Sequence, residues 1–113
     1  METGSLVVVS VHSPREKFWG VLLALSAAGV TVRAVAVDSF EDWMRQFVSD
    51  HAATQLGAVT IFLPSHRIDR IELDETSGSV EGLGDRFRRV TGHDPCEEVL
   101  RHAHDDAGTR PPM

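Results

Sequence analysis

The sequence predicts a mainly β domain with added helices (α+β): a small barrel or strongly bent sheet of about five strands, one inserted helix at 39–53 and carboxy-terminal helices. Three observations carry this. β-branched apolar runs too short for helices recur at 6–11, 30–37 and 59–63. A single stretch, Phe40, Trp43, Met44, Phe47, Val48 and His51, keeps the i, i+3, i+4, i+7 spacing of a helical stripe. The last third has cap signals and a shorter stripe of its own.

Leu6-Val7-Val8-Val9-Ser10-Val11 reads as a buried strand. The segment 13–37 admits two readings. Ser13-Pro14-Arg15-Glu16 has the form of a helix start, with a cap residue, Pro at the first position and an acid at the third. A helix 14–28 ending at Gly29, then a strand 30–37, would give an α/β sandwich with βαβαβ order and a ligand site near His12, Ser13 and Asp38. In the other reading Trp19, Val21, Leu23 and Leu25 alternate on one face of a long strand, and Ser26-Ala27-Ala28-Gly29 is a hairpin loop. Gly20 and the β-branched Val21 disfavour the helix, so the second reading leads.

Ser39 with Asp42 at the third position opens the helix 39–53, and Glu41 and Arg45 stand i, i+4 on its wet side. Val59-Thr60-Ile61-Phe62-Leu63 is a strand stopped or bent at Pro64, extended structure resumes through Ile68, Ile71 and Leu73, and Thr76-Ser77-Gly78-Ser79 is a loop. Val80, Leu83, Phe87 and Val90 form an amphipathic stripe ending at Gly92, and Asp94-Pro95-Cys96-Glu97 starts another short helix. The expected organisation is one domain over 1–113, with a core at 6–74, a helical cover at 80–103 and a frayed tail at 104–113.

With 17 acidic against 11 basic side chains the net charge is −6, so the field of the whole chain repels phosphate, and nucleic-acid binding would need a local patch. A single cysteine makes no internal disulfide, no basic-then-apolar leader opens the chain, and no apolar run reaches the length of a membrane span. The expectation is a cytoplasmic protein without a membrane partner.

The apolar blocks Phe18-Trp19-Gly20-Val21-Leu22-Leu23, Gly29-Val30-Thr31-Val32 and Ile61-Phe62-Leu63-Pro64-Ser65-His66-Arg67-Ile68-Asp69-Arg70-Ile71 resemble the Sm-like family of small five-stranded, SH3-like barrels over residues 6–74. In that family a bent hairpin with a strand glycine is followed by a strand, a proline or basic turn and an I-x-x-I strand. The resemblance implies homo-oligomeric rings built by edge-strand pairing and, in many members, single-stranded RNA binding. Two departures bear on the RNA part: the hairpin tip carries Ser26-Ala27-Ala28-Gly29 where RNA-binding members present a polar Asn or Asp, and the chain is acidic. Only His66 and Arg67 carry across.

Catalytic and metal constellations are not expected. His93, Cys96, His102 and His104 match no usual zinc spacing, and Glu97 and Glu98 oppose thiolate formation at Cys96. His12, Ser13, Asp38, Asp42 and Asp50 lack a context that would bring them together, and Asp69, Glu72, Asp74 and Glu75 lack calcium-loop spacing and read as a solvated face. Candidate ligand- or partner-binding residues are His66, Arg67 and Arg70 at the turn, and Arg86 and Arg89, with Arg88, on the exposed side of the late helix. Trp19 and Trp43 read as core or interface anchors. The resulting expectation is a non-enzymatic assembly or binding module that self-associates, with another protein as the second class of partner, no cofactor, and nucleic acid disfavoured.

Overall fold

A computed structural model describes residues 1–49 and 57–101. Five strands form one antiparallel sheet in the order β4-β3-β2-β1-β5, built from β1 (Leu6–Val11), β2 (Glu16–Ser26), β3 (Gly29–Ala36), β4 (Val59–Pro64) and β5 (Ile68–Leu73). Helix α1 (Phe40–Ser49) follows β3 through a 3-10 turn, and α2 (Leu83–Thr91) and α3 (Pro95–Leu100) follow β5. No helix among the described residues is long and apolar enough to cross a membrane.

The segment that admitted two readings is a strand, and the βαβαβ alternative is overturned. Glu16–Ser26 pairs with β1 on one side and β3 on the other, with Val8 opposite Trp19 and Trp19 opposite Val35. Ser13 lies at φ 60°, not in the extended backbone that a helix cap requires, so the cap-like sequence Ser13-Pro14 forms a turn instead. Gly20 explains why this strand packs so closely: a Cβ there would come within 2.0 Å of the Arg33 carbonyl and 2.6 Å of Ala34 Cα. Past Leu22 the register with β3 shifts by a bulge, which ends the alternation that the sequence suggested and leaves Leu25 exposed.

β4 and β5 lie on opposite edges of the sheet, yet only the 3-10 turn Ser65–Arg67 separates them. Four strand spacings in a flat sheet would hold them about 19 Å apart. Three residues of 3-10 turn span only about 6 Å, so the sheet rolls until both edges reach that turn. It does not close, for β4 and β5 are not paired with each other.

Rolling separates two cores. The inner face carries Val7, Val9, Val11, Leu22, Val30, Val32, Ala34 and Leu63, all buried although no helical residue belongs to that cluster. The outer face carries Trp19, Val21 and Val35, which meet Phe40, Trp43 and Met44 of α1, Phe87 of α2 and Val99 of α3. Trp43 stacks on Phe87 with ring centroids 4.9 Å apart and meets Trp19 edge-on at 5.6 Å.

Three details of the helices depart from expectation. In the carboxy-terminal stripe only Leu83 and Phe87 reach the core, while Val80 sits exposed in the preceding loop and Val90 is exposed on α2. Val48, placed in the α1 stripe by its spacing, is exposed; Arg45 lies 3.2 Å from Asp42, and Arg86 forks onto Glu41. The Asp94 cap of α3 forms as its sequence indicates, accepting from the Glu97 amide at 3.0 Å. The ends of the expected helix at 50–53 and the tail at 104–113 lie outside the described residues.

Candidate functional site

The turn joining β4 to β5 and the loop joining β1 to β2 form one end of the rolled sheet. Arg67 holds them together: its Nε donates to the His12 carbonyl at 3.0 Å and its Nη2 to the Pro14 carbonyl at 3.2 Å, with Glu16 at 3.8 Å. The His12 amide returns a bond to the Arg67 carbonyl, and the Ser65 amide donates to Ala28 at the β2–β3 tip. Arg67 is therefore a clamp between loops, its Nε and one Nη2 donor committed to backbone carbonyls. Arg70 lies 3.5 Å from Glu72, and both are more than half exposed. His66 is exposed on the turn.

The second candidate group is already matched internally. Arg86 makes a two-bond fork with Glu41 of α1, 2.9 Å in each arm, and Arg89 makes one with Glu81 at 2.8 Å. Arg88 stands between Asp85 and Asp94. Hydrogen bonding to Arg86 holds the Glu41 carboxyl below its ordinary pKa, and Arg89 does the same for Glu81. The Arg86–Glu41 fork ties α2 to α1 across the aromatic cluster, so its role is to register the helices. His66, Arg67 and Arg70 gather near one end of the sheet, whereas Arg86 and Arg89 sit on the helical layer.

The remaining constellations do not assemble among the described residues. His12 Nδ1 is 2.8 Å from Asp69, Asp42 is taken by Arg45, and Asp50 falls outside the described residues. No group of three or more His, Cys, Asp or Glu is placed to hold a metal ion, again among the described residues; His102 and His104 lie outside them. Burial, then the charge of Asp94, pushes the Cys96 thiol pKa up, away from a nucleophile's requirement.

Three residues matter that sequence reasoning passed over. Asp74, grouped with a solvated acidic face, accepts from Trp19 Nε1 at 2.9 Å, the Leu83 amide at 2.8 Å and the Gly84 amide at 2.6 Å. Arg33 is buried and donates to the Val99 and Arg101 carbonyls at 3.1 and 3.3 Å, fastening the end of α3 over β3. Ser10 is buried in β1 with its hydroxyl unpartnered. Its position in an apolar run was the one available signal, since a polar residue inside such a run asks for a partner.

Both sheet edges carry apolar side chains. Val59 and Phe62 of β4 are 53% and 54% exposed, and Leu73 of β5 is 42% exposed. Neither edge is paired with a further strand among the described residues. Comparison of the chain with family models, with curated proteins and with solved structures finds no match.

Proposed function

We propose that the chain is a non-enzymatic assembly module of the small-barrel, Sm-like kind, whose copies join edge to edge. The observation that carries this is the pair of six-residue edge strands, β4 and β5, each with its outer side unpaired among the described residues and each carrying exposed apolar side chains. An open edge presents unpaired amides and carbonyls to any second strand, and proteins that stay monomeric cover or charge such edges. The barrel reading draws support from the strand order, the 3-10 turn between β4 and β5, the close approach at Gly20 and the helix inserted between β3 and β4.

Sedimentation equilibrium at tens of micromolar is the test. The expected mass is a multiple of 12.4 kDa. Phe62→Lys, which puts a charge on the β4 edge, should lower that mass while the circular dichroism spectrum stays unchanged. A wild-type mass near 12.4 kDa overturns the proposal, and an oligomer indifferent to Phe62→Lys overturns the edge as its interface.

RNA binding is not part of this reading. Of the turn cations, Arg67 is engaged with backbone carbonyls and Arg70 faces Glu72. Single-strand binders combine a basic groove with exposed stacking aromatics, whereas here Trp19 and Trp43 are buried. Fluorescence anisotropy with oligo-U and oligo-A at physiological salt should stay flat into the micromolar range. Submicromolar affinity that falls in His66→Ala and Arg67→Ala would promote an RNA-binding function instead.

A further inference from the structure

Ser10 is 9% exposed, and its Oγ is buried without a hydrogen-bond partner among the described residues. A buried hydroxyl left unmatched costs free energy and asks for a reason. Its neighbours Val9 and Val11 point into the inner core, so Ser10 faces outward, like Val8, but one pair nearer the β1–β2 loop. Directly across from it stand two cations, Lys17 on β2 and Arg70 on β5. Cross-strand partners have Cβ atoms about 5 Å apart and share a face, so both side chains rise beside the same hydroxyl.

The surroundings favour a ligand. Lys17 makes no ion pair among the described residues. Arg70 has only the 3.5 Å contact to Glu72, between groups that are each more than half exposed. The β1–β5 register breaks between Ser10 and Val11, and such bulges re-aim side chains and recur beside binding sites. In a chain of net charge −6 whose helix arginines are matched to acids, two cations flanking an unmatched hydroxyl stand out.

We propose that Ser10, Lys17 and Arg70 form a site for one tetrahedral oxyanion, a phosphate or the phosphate of a monoester, on the outer face of the sheet. A hydroxyl, an ammonium and a guanidinium supply donors from three directions, which suits an anion with at least three oxygens better than a planar carboxylate. The ligand draws Arg70 from Glu72 and Lys17 from solvent, and the Ser10 hydroxyl donates to it. The acidic remainder of the surface limits the ligand to a single small group rather than a polyanion.

The full chain, labelled with 15N, is titrated at low ionic strength with inorganic phosphate, glycerol phosphate and acetate. Saturable shifts centred on Ser10, Lys17 and Arg70 are expected, with a Kd on the order of 1 mM for phosphate and binding at least about tenfold weaker for acetate. Glycerol phosphate binding as well as phosphate identifies an ester as the class, and phosphate alone identifies the free ion. Lys17→Gln should weaken binding about tenfold and Ser10→Ala about fivefold. Ser10→Ala should keep or raise the thermal midpoint, since it deletes an unmatched group. Shifts that do not saturate by about 20 mM, acetate binding equal to phosphate, affinity unchanged in Lys17→Gln, or a lowered midpoint in Ser10→Ala would each overturn the site.

Discussion

Trp43→Ala is expected to remove about 3 to 5 kcal/mol of stability, the range for deleting a buried aromatic side chain and leaving a cavity. Trp43 is 2% exposed and lies at the centre of the outer core, where its ring meets Trp19 at 5.6 Å, Phe47 at 5.0 Å and Phe87 at 4.9 Å. Three elements lose packing at once: β2 at Trp19, α1 at Phe47 and α2 at Phe87. Against a total of about 5 to 15 kcal/mol for a domain of this size, the loss should lower the thermal midpoint by on the order of 15 °C or more. Val48→Ala on the same helix is the control, because Val48 is 59% exposed and its loss should change little. Urea denaturation followed by circular dichroism reads both. A Trp43→Ala midpoint within error of wild type would mean that the stripe of α1 is not the joint between the sheet and the helical cover.

Period and punctuation made several elements legible. Residues 6–11, the α1 helix with Phe40, Trp43 and Met44 turned inward, the strand before Pro64 and the Asp94 cap are each specified by neighbours within a turn or a strand, and each forms as the local pattern indicates, although Val48 of the same stripe is exposed. The segment 14–28 was legible only as a fork, because Ser13-Pro14 imitates a cap while the alternation of Trp19 and Val21 needs strands on both sides to become real. The roll of the sheet was not legible, since alternation assigns faces and is silent on how far a sheet curls. The polar joints were hidden for a different reason. Arg33 meets Val99 across 66 positions and Asp74 meets Trp19 across 55, so no window of sequence contains both partners. The basic cluster on α2 was visible as charge, but its acids lie on α1 and in the loop before α2, and what looked like a surface for a partner is matched within the chain.

Asp74→Ala is the second large effect expected, and it tests whether that hidden joint organises the helical cover. α2 begins after Gly82, which has no side chain to cap it, and the cap comes instead from Asp74 at the end of β5. One carboxylate oxygen accepts the Leu83 amide; the other takes both the Gly84 amide and the indole N–H of Trp19, which is fully buried. The negative charge also sits at the positive end of the helix. Hydrogen bonds to a charged group contribute about 1.5 to 3 kcal/mol each, and a buried indole N–H left unmatched adds a cost of about 1 to 3 kcal/mol, although the terms do not simply add. A net loss of about 3 kcal/mol or more is expected in urea denaturation. Asp74→Asn should fall between, because its one carbonyl oxygen can serve two donors while its NH2 faces the third. Hydrogen exchange locates the effect: the Leu83 and Gly84 amides and the Trp19 indole should lose protection in Asp74→Ala while the β2–β3 ladder keeps it. Because α2 carries Phe87 onto Trp43, the losses in Asp74→Ala and Trp43→Ala should also be less than additive in the double variant. Full additivity, or an Asp74→Ala protein within about 0.5 kcal/mol of wild type, would show that α2 is held by its apolar face alone.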